Sequence, residues 1–106
     1  MRRVSVTDLA EKDLLDIWSY ISAKANPAAA ESMLDRIEKR FPFLARNPYA
    51  GREQDEISLG IRSFPVGPYL IFYESSPEEI RVARILHGAR DIRKAFREDS
   101  GAATQA

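Results

Sequence analysis

The sequence predicts a single α+β domain: a helical hairpin packed on one side of a small antiparallel sheet, in the order βααβββ. Three observations carry this reading. Apolar residues recur with helical spacing from Leu14 to Leu44. Three runs rich in β-formers follow between Ile61 and His87. The connectors between those runs are short, as joins between adjacent antiparallel strands are. A chain of 106 residues holds one core of this kind and no second domain.

Each element has its own signal. Residues 3–7 alternate polar and β-branched side chains with period two, which marks a short edge strand. Asp8 with Glu11 resembles a capping box, and both carboxylates suit the positive end of a helix dipole, so a first helix begins here. Its apolar stripe is Leu14, Ile17, Trp18 and Ile21. Asn26 followed by Pro27 gives an N-cap and a first-turn proline, which end that helix and start a second. The second helix keeps its period through Ala30, Met33, Leu34, Ile37, Phe41 and Leu44, with Arg36, Lys39 and Arg40 among its outer residues. Pro42 removes one intrahelical hydrogen bond, so a kink or early end is expected near Glu38 and Lys39. Asn47-Pro48-Tyr49-Ala50-Gly51 is a turn cluster, and residues 52–60 read as a polar connector. Strands are then expected at residues 61–64, 69–73 and 80–87, and a short C-terminal helix at 89–96. The domain is assigned to residues 1–97 and a flexible tail to 98–106.

Composition narrows the chemistry. Lys+Arg and Asp+Glu both total 16, so no overall charge draws the chain to polyanions, and no stable direct nucleic-acid binding is expected. With 0 Cys and 1 His, neither a disulfide framework nor a thiolate or multi-histidine metal site is expected, and no cofactor motif occurs. Met1-Arg2-Arg3 is not followed by an apolar run, so no export or membrane insertion is expected and the location reads as cytoplasmic.

The second half is locally basic: residues 60–97 carry seven cations, among them Arg62, Arg81, Arg84, Arg90 and Arg93, against four carboxylates. Two readings stay open, a surface for an anionic or acidic partner and a solvated face laced with ion pairs. Arg81 and Ala83 cannot share a face with Val82 and Arg84 unless a bulge intervenes, so one arginine is expected to be paired near the core. His87 is the one side chain whose ordinary pKa suits proton transfer near neutrality, with Arg84 and Arg90 close by for phosphate charge. A lone histidine at a strand end more often bonds backbone. Tyr69, Tyr73 and Trp18 read first as packing residues.

Three segments together resemble the ParE branch of the RelE/ParE toxins of type II toxin–antitoxin systems. They are DLLDIWSYI at 13–21, YLIFY at 69–73 and RILHGARD at 84–91, joined by Asn47-Pro48, Gly51 and LGIR at 59–62. The match runs from about Val4 to Phe96 and rests on the order and spacing of the pieces. The resemblance implies the RelE/ParE fold, growth arrest by the free toxin, a role of the plasmid-stabilisation kind, and a cognate antitoxin, ParD-like or other, in a hetero-oligomer. The ParE branch implies DNA gyrase as target and no catalysis by the chain itself. RelE relatives instead cut mRNA on the ribosome, and by that alternative His87, Arg84, Arg62 and Arg90 are the catalytic candidates. No tyrosine follows Tyr73, which favours the gyrase reading. A third reading is a toxin-derived chain that keeps only antitoxin binding. Target-binding candidates are Arg81, Arg84, His87, Arg90 and Arg93, and antitoxin-binding candidates are Val4, Val6, Trp18, Tyr20, Phe41, Phe43 and Tyr49.

Overall fold

A computed structural model describes residues 1–97 of the chain. The order is β1 (Arg3–Val6), α1 (Asp8–Lys24), α2 (Pro27–Glu38), α3 (Arg40–Arg46), β2 (Arg52–Glu53), β3 (Arg62–Val66), β4 (Tyr69–Ser75) and β5 (Glu79–His87), then a helical turn at 92–97. The helices pack on the sheet, as expected, and the sheet has five strands where four were expected. The tail assigned to 98–106 lies outside the described residues.

The sheet runs β1-β5-β4-β3-β2. β2 to β5 form the antiparallel meander, and β3 and β4 are joined by the two-residue turn Gly67-Pro68 with Gly67 at φ 56°. The first strand departs from the antiparallel expectation: β1 lies parallel to β5, Val4 opposite Ile80 and Val6 opposite Val82. The long connection between them, three helices and three strands, permits this, whereas short turns elsewhere force reversal.

The helix termini refine the sequence reading by a residue or two. Thr7 rather than Asp8 is the N-cap of α1, its hydroxyl accepting from Ala10 N–H at 3.1 Å. Asp8 and Glu11 sit in the first turn, where the dipole favours them. Asn26 caps α2 through Ala29 N–H at 2.8 Å, with Pro27 just inside. The break expected from Pro42 falls at Lys39 and leaves α3 as a separate helix. The connector read as polar irregular chain contains β2, a two-residue strand that adds an edge to β3.

Both faces of the sheet are covered. On one, Ile17, Ile37, Phe41 and Leu44 from the helices meet Ile71, Tyr73, Ile80, Val82 and Ile85. On the other, the 92–97 turn lays Ala95 and Phe96 over Ile61, Phe72 and Leu86, with the Phe72 and Phe96 rings edge-to-face at 5.1 Å. The turn that carries Tyr49 is pinned from the core: Tyr73 OH donates to Pro48 O and accepts from Gly51 N–H, both at 2.8 Å. A Cβ on Gly51 would stand 2.5 Å from that hydroxyl, so only glycine fits.

Candidate functional site

β5 runs on past the end of β1, and residues of α1 complete its edge. Thr7 Oγ1 donates to Ala83 O at 2.8 Å. Further along, in α1, the Asp13 carboxylate accepts from Ile85 N–H at 2.9 Å and takes a fork of bonds from Arg84, Nε to Oδ2 at 2.8 Å and Nη2 to Oδ1 at 2.9 Å. The register of β5 shifts here: Tyr73 pairs with Val82 and Phe72 with Arg84, which leaves Ala83 as an extra residue. Both Asp13 and Arg84 are buried.

Between α1 and this end of β5 lies an open cleft of about 490 Å³. Asp16 and Tyr20 line it from α1, His87 and Arg90 from the end of β5 and its turn, and Tyr69 from β4, with Asp13 in its floor. His87 is exposed and held at both sides: its Nδ1 accepts from Ala89 N–H at 3.0 Å, and its ring meets Tyr69 edge-on at 5.4 Å. That bond assigns the proton of the neutral ring to Nε2. Burial raises the Tyr69 hydroxyl above its ordinary pKa, and Tyr20 adds to the shift, so Tyr69 stays protonated at neutral pH. The cleft therefore offers one imidazole, one guanidinium, two phenols and the Asp16 carboxylate.

The four candidates for RNA cleavage do not converge. His87 and Arg90 share the cleft, whereas the Arg84 guanidinium is held by Asp13 and does not line it. Arg84 is thus the arginine expected near the core and is removed from the exposed candidates for target binding, because its charge is already matched. Arg62 pairs in β3 with Tyr73, four residues along β4 from the Tyr69–His87 pair. There it donates to Gly51 O at 2.7 Å, meets Glu53 at 3.1 Å and stacks over Tyr49 at 5.1 Å. Arg81 is paired with Glu74 at 2.9 Å, and Arg93 is exposed on the 92–97 turn, so neither joins the cleft.

Of the antitoxin-binding candidates, Tyr20 and Tyr49 are 58% and 72% exposed, and Val4 is 39% exposed on the outer edge of β1. Trp18 is half-buried, with Nε1 donating to Glu31 across the hairpin at 3.2 Å. Val6 and Phe43 are half-buried against the core, and Phe41 is core itself, which corrects its place among surface candidates. Its position on the inner stripe of the hairpin is the reason. The sequence reading missed Asp13, although a carboxylate four residues before Ile17 sits within the buried stripe and signals a buried cation partner. It also missed Asp16, for which the sequence holds no signal. Among the described residues no cluster of His, Cys, Asp and Glu gathers as metal ligands, and no helix is long and apolar enough to cross a membrane.

Comparison with known proteins bears on family and fold. The family model described as the ParE toxin of the type II toxin–antitoxin system parDE matches residues 4–92. Toxin ParE1 of Mycobacterium tuberculosis is 31% identical over 91 residues, covering 85% of this chain and 93% of that protein. Toxin ParE3 of Caulobacter vibrioides is 29% identical over 92 residues, 87% of this chain and 92% of its own. Among solved structures, a chain of a chromosomal ParDE system from P. aeruginosa superposes with a TM-score of 0.73 at 23% identity, over 82% of this chain and 96% of that one. A chain of the RelBE2 toxin–antitoxin complex of Mycobacterium tuberculosis gives 0.60 at 21%, over 81% and 96%, and these two likenesses bear on the fold. The chain belongs to the ParE toxin family of type II toxin–antitoxin systems, within the RelE/ParE superfamily.

Proposed function

We propose that this toxin disables DNA gyrase by binding it, and that a cognate antitoxin neutralises it by covering the same molecule. One observation supports binding over cleavage most directly: the cations needed for phosphoryl chemistry are dispersed. Arg84 is matched by Asp13, and Arg62 is engaged at the other end of β4. Positioned charge at the reacting phosphate is the main catalytic contribution in such chemistry, and the cleft offers for it only Arg90 beside His87. The names of the relatives, all ParE toxins, and of the structural neighbours, from toxin–antitoxin systems, support an antitoxin partner. This reading implies action where gyrase works, in the cytoplasm. The test is a supercoiling assay with relaxed plasmid, gyrase and purified toxin. Loss of supercoiling or accumulation of linear DNA is expected, relieved when the antitoxin is added first. Full supercoiling at a large molar excess of folded toxin would reject gyrase as the target.

A further inference from the structure

Where the junction of α2 and α3 meets the β3–β4 turn lies a further pocket of about 350 Å³. Its lining is Arg36, Lys39 and Arg40 from the helices and Pro65, Val66 and Gly67 from the turn. Asp35 and Glu38, the carboxylates adjacent in sequence, do not line it. Among the described residues none of the three cations lies within ion-pair distance of a carboxylate.

Two of the cations have neighbours that place them. The Arg40 guanidinium sits over the Phe43 and Phe64 rings at 5.7 and 5.9 Å, so aromatic faces hold it. Arg36 folds toward the turn: a Cβ on Gly67 would lie 3.5 Å from its Nη2. Gly67, at φ 56°, turns the hairpin there and offers no side chain to fill the space. A cluster of like charges held together without counter-charge raises the local potential and favours an anion. Two guanidinium forks with one ammonium match the oxygens of linked phosphates better than a single carboxylate.

We propose that this pocket is a binding site for a di- or triphosphate group, either inorganic or the tail of a nucleotide. The rings nearest the pocket have faces occupied by Arg40, so no stacking platform remains for a base and the base is not read. The site shares no lining residue with the His87 cleft and is independent of the gyrase reading.

Calorimetric titration of the full chain with sodium triphosphate, ATP and GTP at constant ionic strength tests it, with sulfate as the screening control. The three phosphates should bind with affinities within about twofold of one another, given no base stacking, and much more tightly than sulfate. Arg36→Gln with Lys39→Gln should weaken triphosphate by about tenfold or more, the scale of lost charge-assisted hydrogen bonds. Both sites are exposed, so folding should survive. Arg93→Gln with Lys94→Gln on the opposite face should bind as wild type. Amide shifts in NMR should centre on Val66 and Gly67. Equal affinity for sulfate, an unchanged affinity in the Arg36/Lys39 variant or the absence of binding would overturn the proposal. So would tighter binding of duplex DNA, which would make this a nucleic-acid surface, or of polyglutamate, which would make it an acidic-peptide site.

Discussion

The Asp13–Arg84 pair joins fold and site in one contact, because it ties α1 to the end of β5 and fixes Asp13 in the floor of the cleft. Removing the carboxylate takes the charged fork away from a buried guanidinium, a cost of about 3–5 kcal/mol. Asp13→Ala should therefore lower the unfolding free energy by that order in urea titration, whereas Asp13→Leu with Arg84→Met should recover most of it. Tyr73 makes a second prediction, since its hydroxyl serves both Pro48 and Gly51 from within the core. Tyr73→Phe leaves a buried donor and acceptor unpaired and should cost about 1–3 kcal/mol. Burial raises the pKa of both Tyr69 and Tyr73 above 10.0, against the lowering influence of the Gly51 hydrogen bond and Arg62 in the case of Tyr73. Below pH 10 both states keep these protons. As pH rises above 10 the unfolded chain releases them first, so stability falls toward the folded-state values. Urea midpoints between pH 9 and 11.5 should show this decline, and Tyr69→Phe should flatten it. At this scale the sequence was partly legible: an arginine near the core followed from strand alternation, but its partner Asp13 is distant in sequence and the bulge at Ala83 is announced by no residue of β5.

The elements were legible in order and less so in their joins. Helical periodicity located α1 and α2, and Pro42 located the break, because these are local effects. The parallel pairing of β1 with β5 and the two-residue β2 were not legible, since both depend on which segments meet after the chain has folded. The cap of α1 was misplaced by one residue because Thr7 ends the strand pattern and begins the helix at once. Thr7 has two duties, capping Ala10 N–H and bonding Ala83 O on β5. Thr7→Ala should thus cost about 1–2 kcal/mol, toward the upper end for an N-cap. Asp8→Ala should cost roughly 0.3–1 kcal/mol, as for a charge near the dipole alone. Thermal unfolding of the two variants side by side checks the order, and a larger loss for Asp8→Ala would return the cap to that residue.

Across the whole molecule, the apolar surface left open is spread over separate places: Leu15 and Tyr20 on α1, Val4 on the edge of β1, and Tyr49 beside Leu59 near β2. A segment that covers the hairpin and the β1 edge together would bury the first of these, combining groove and edge modes of recognition. Hydrogen exchange with and without antitoxin should accordingly show added protection in α1 and β1, and no change in either would refute this placement. The central claim is that the toxin binds its target and leaves RNA intact, and it rests on dispersed cations around a single histidine. The most direct measurement incubates one toxin preparation in parallel with gyrase and plasmid and with mRNA-programmed ribosomes, reading supercoiling in one and primer extension in the other. The account predicts lost supercoiling with intact mRNA. A position-specific mRNA cut that His87→Ala abolishes, with gyrase unaffected, would contradict it.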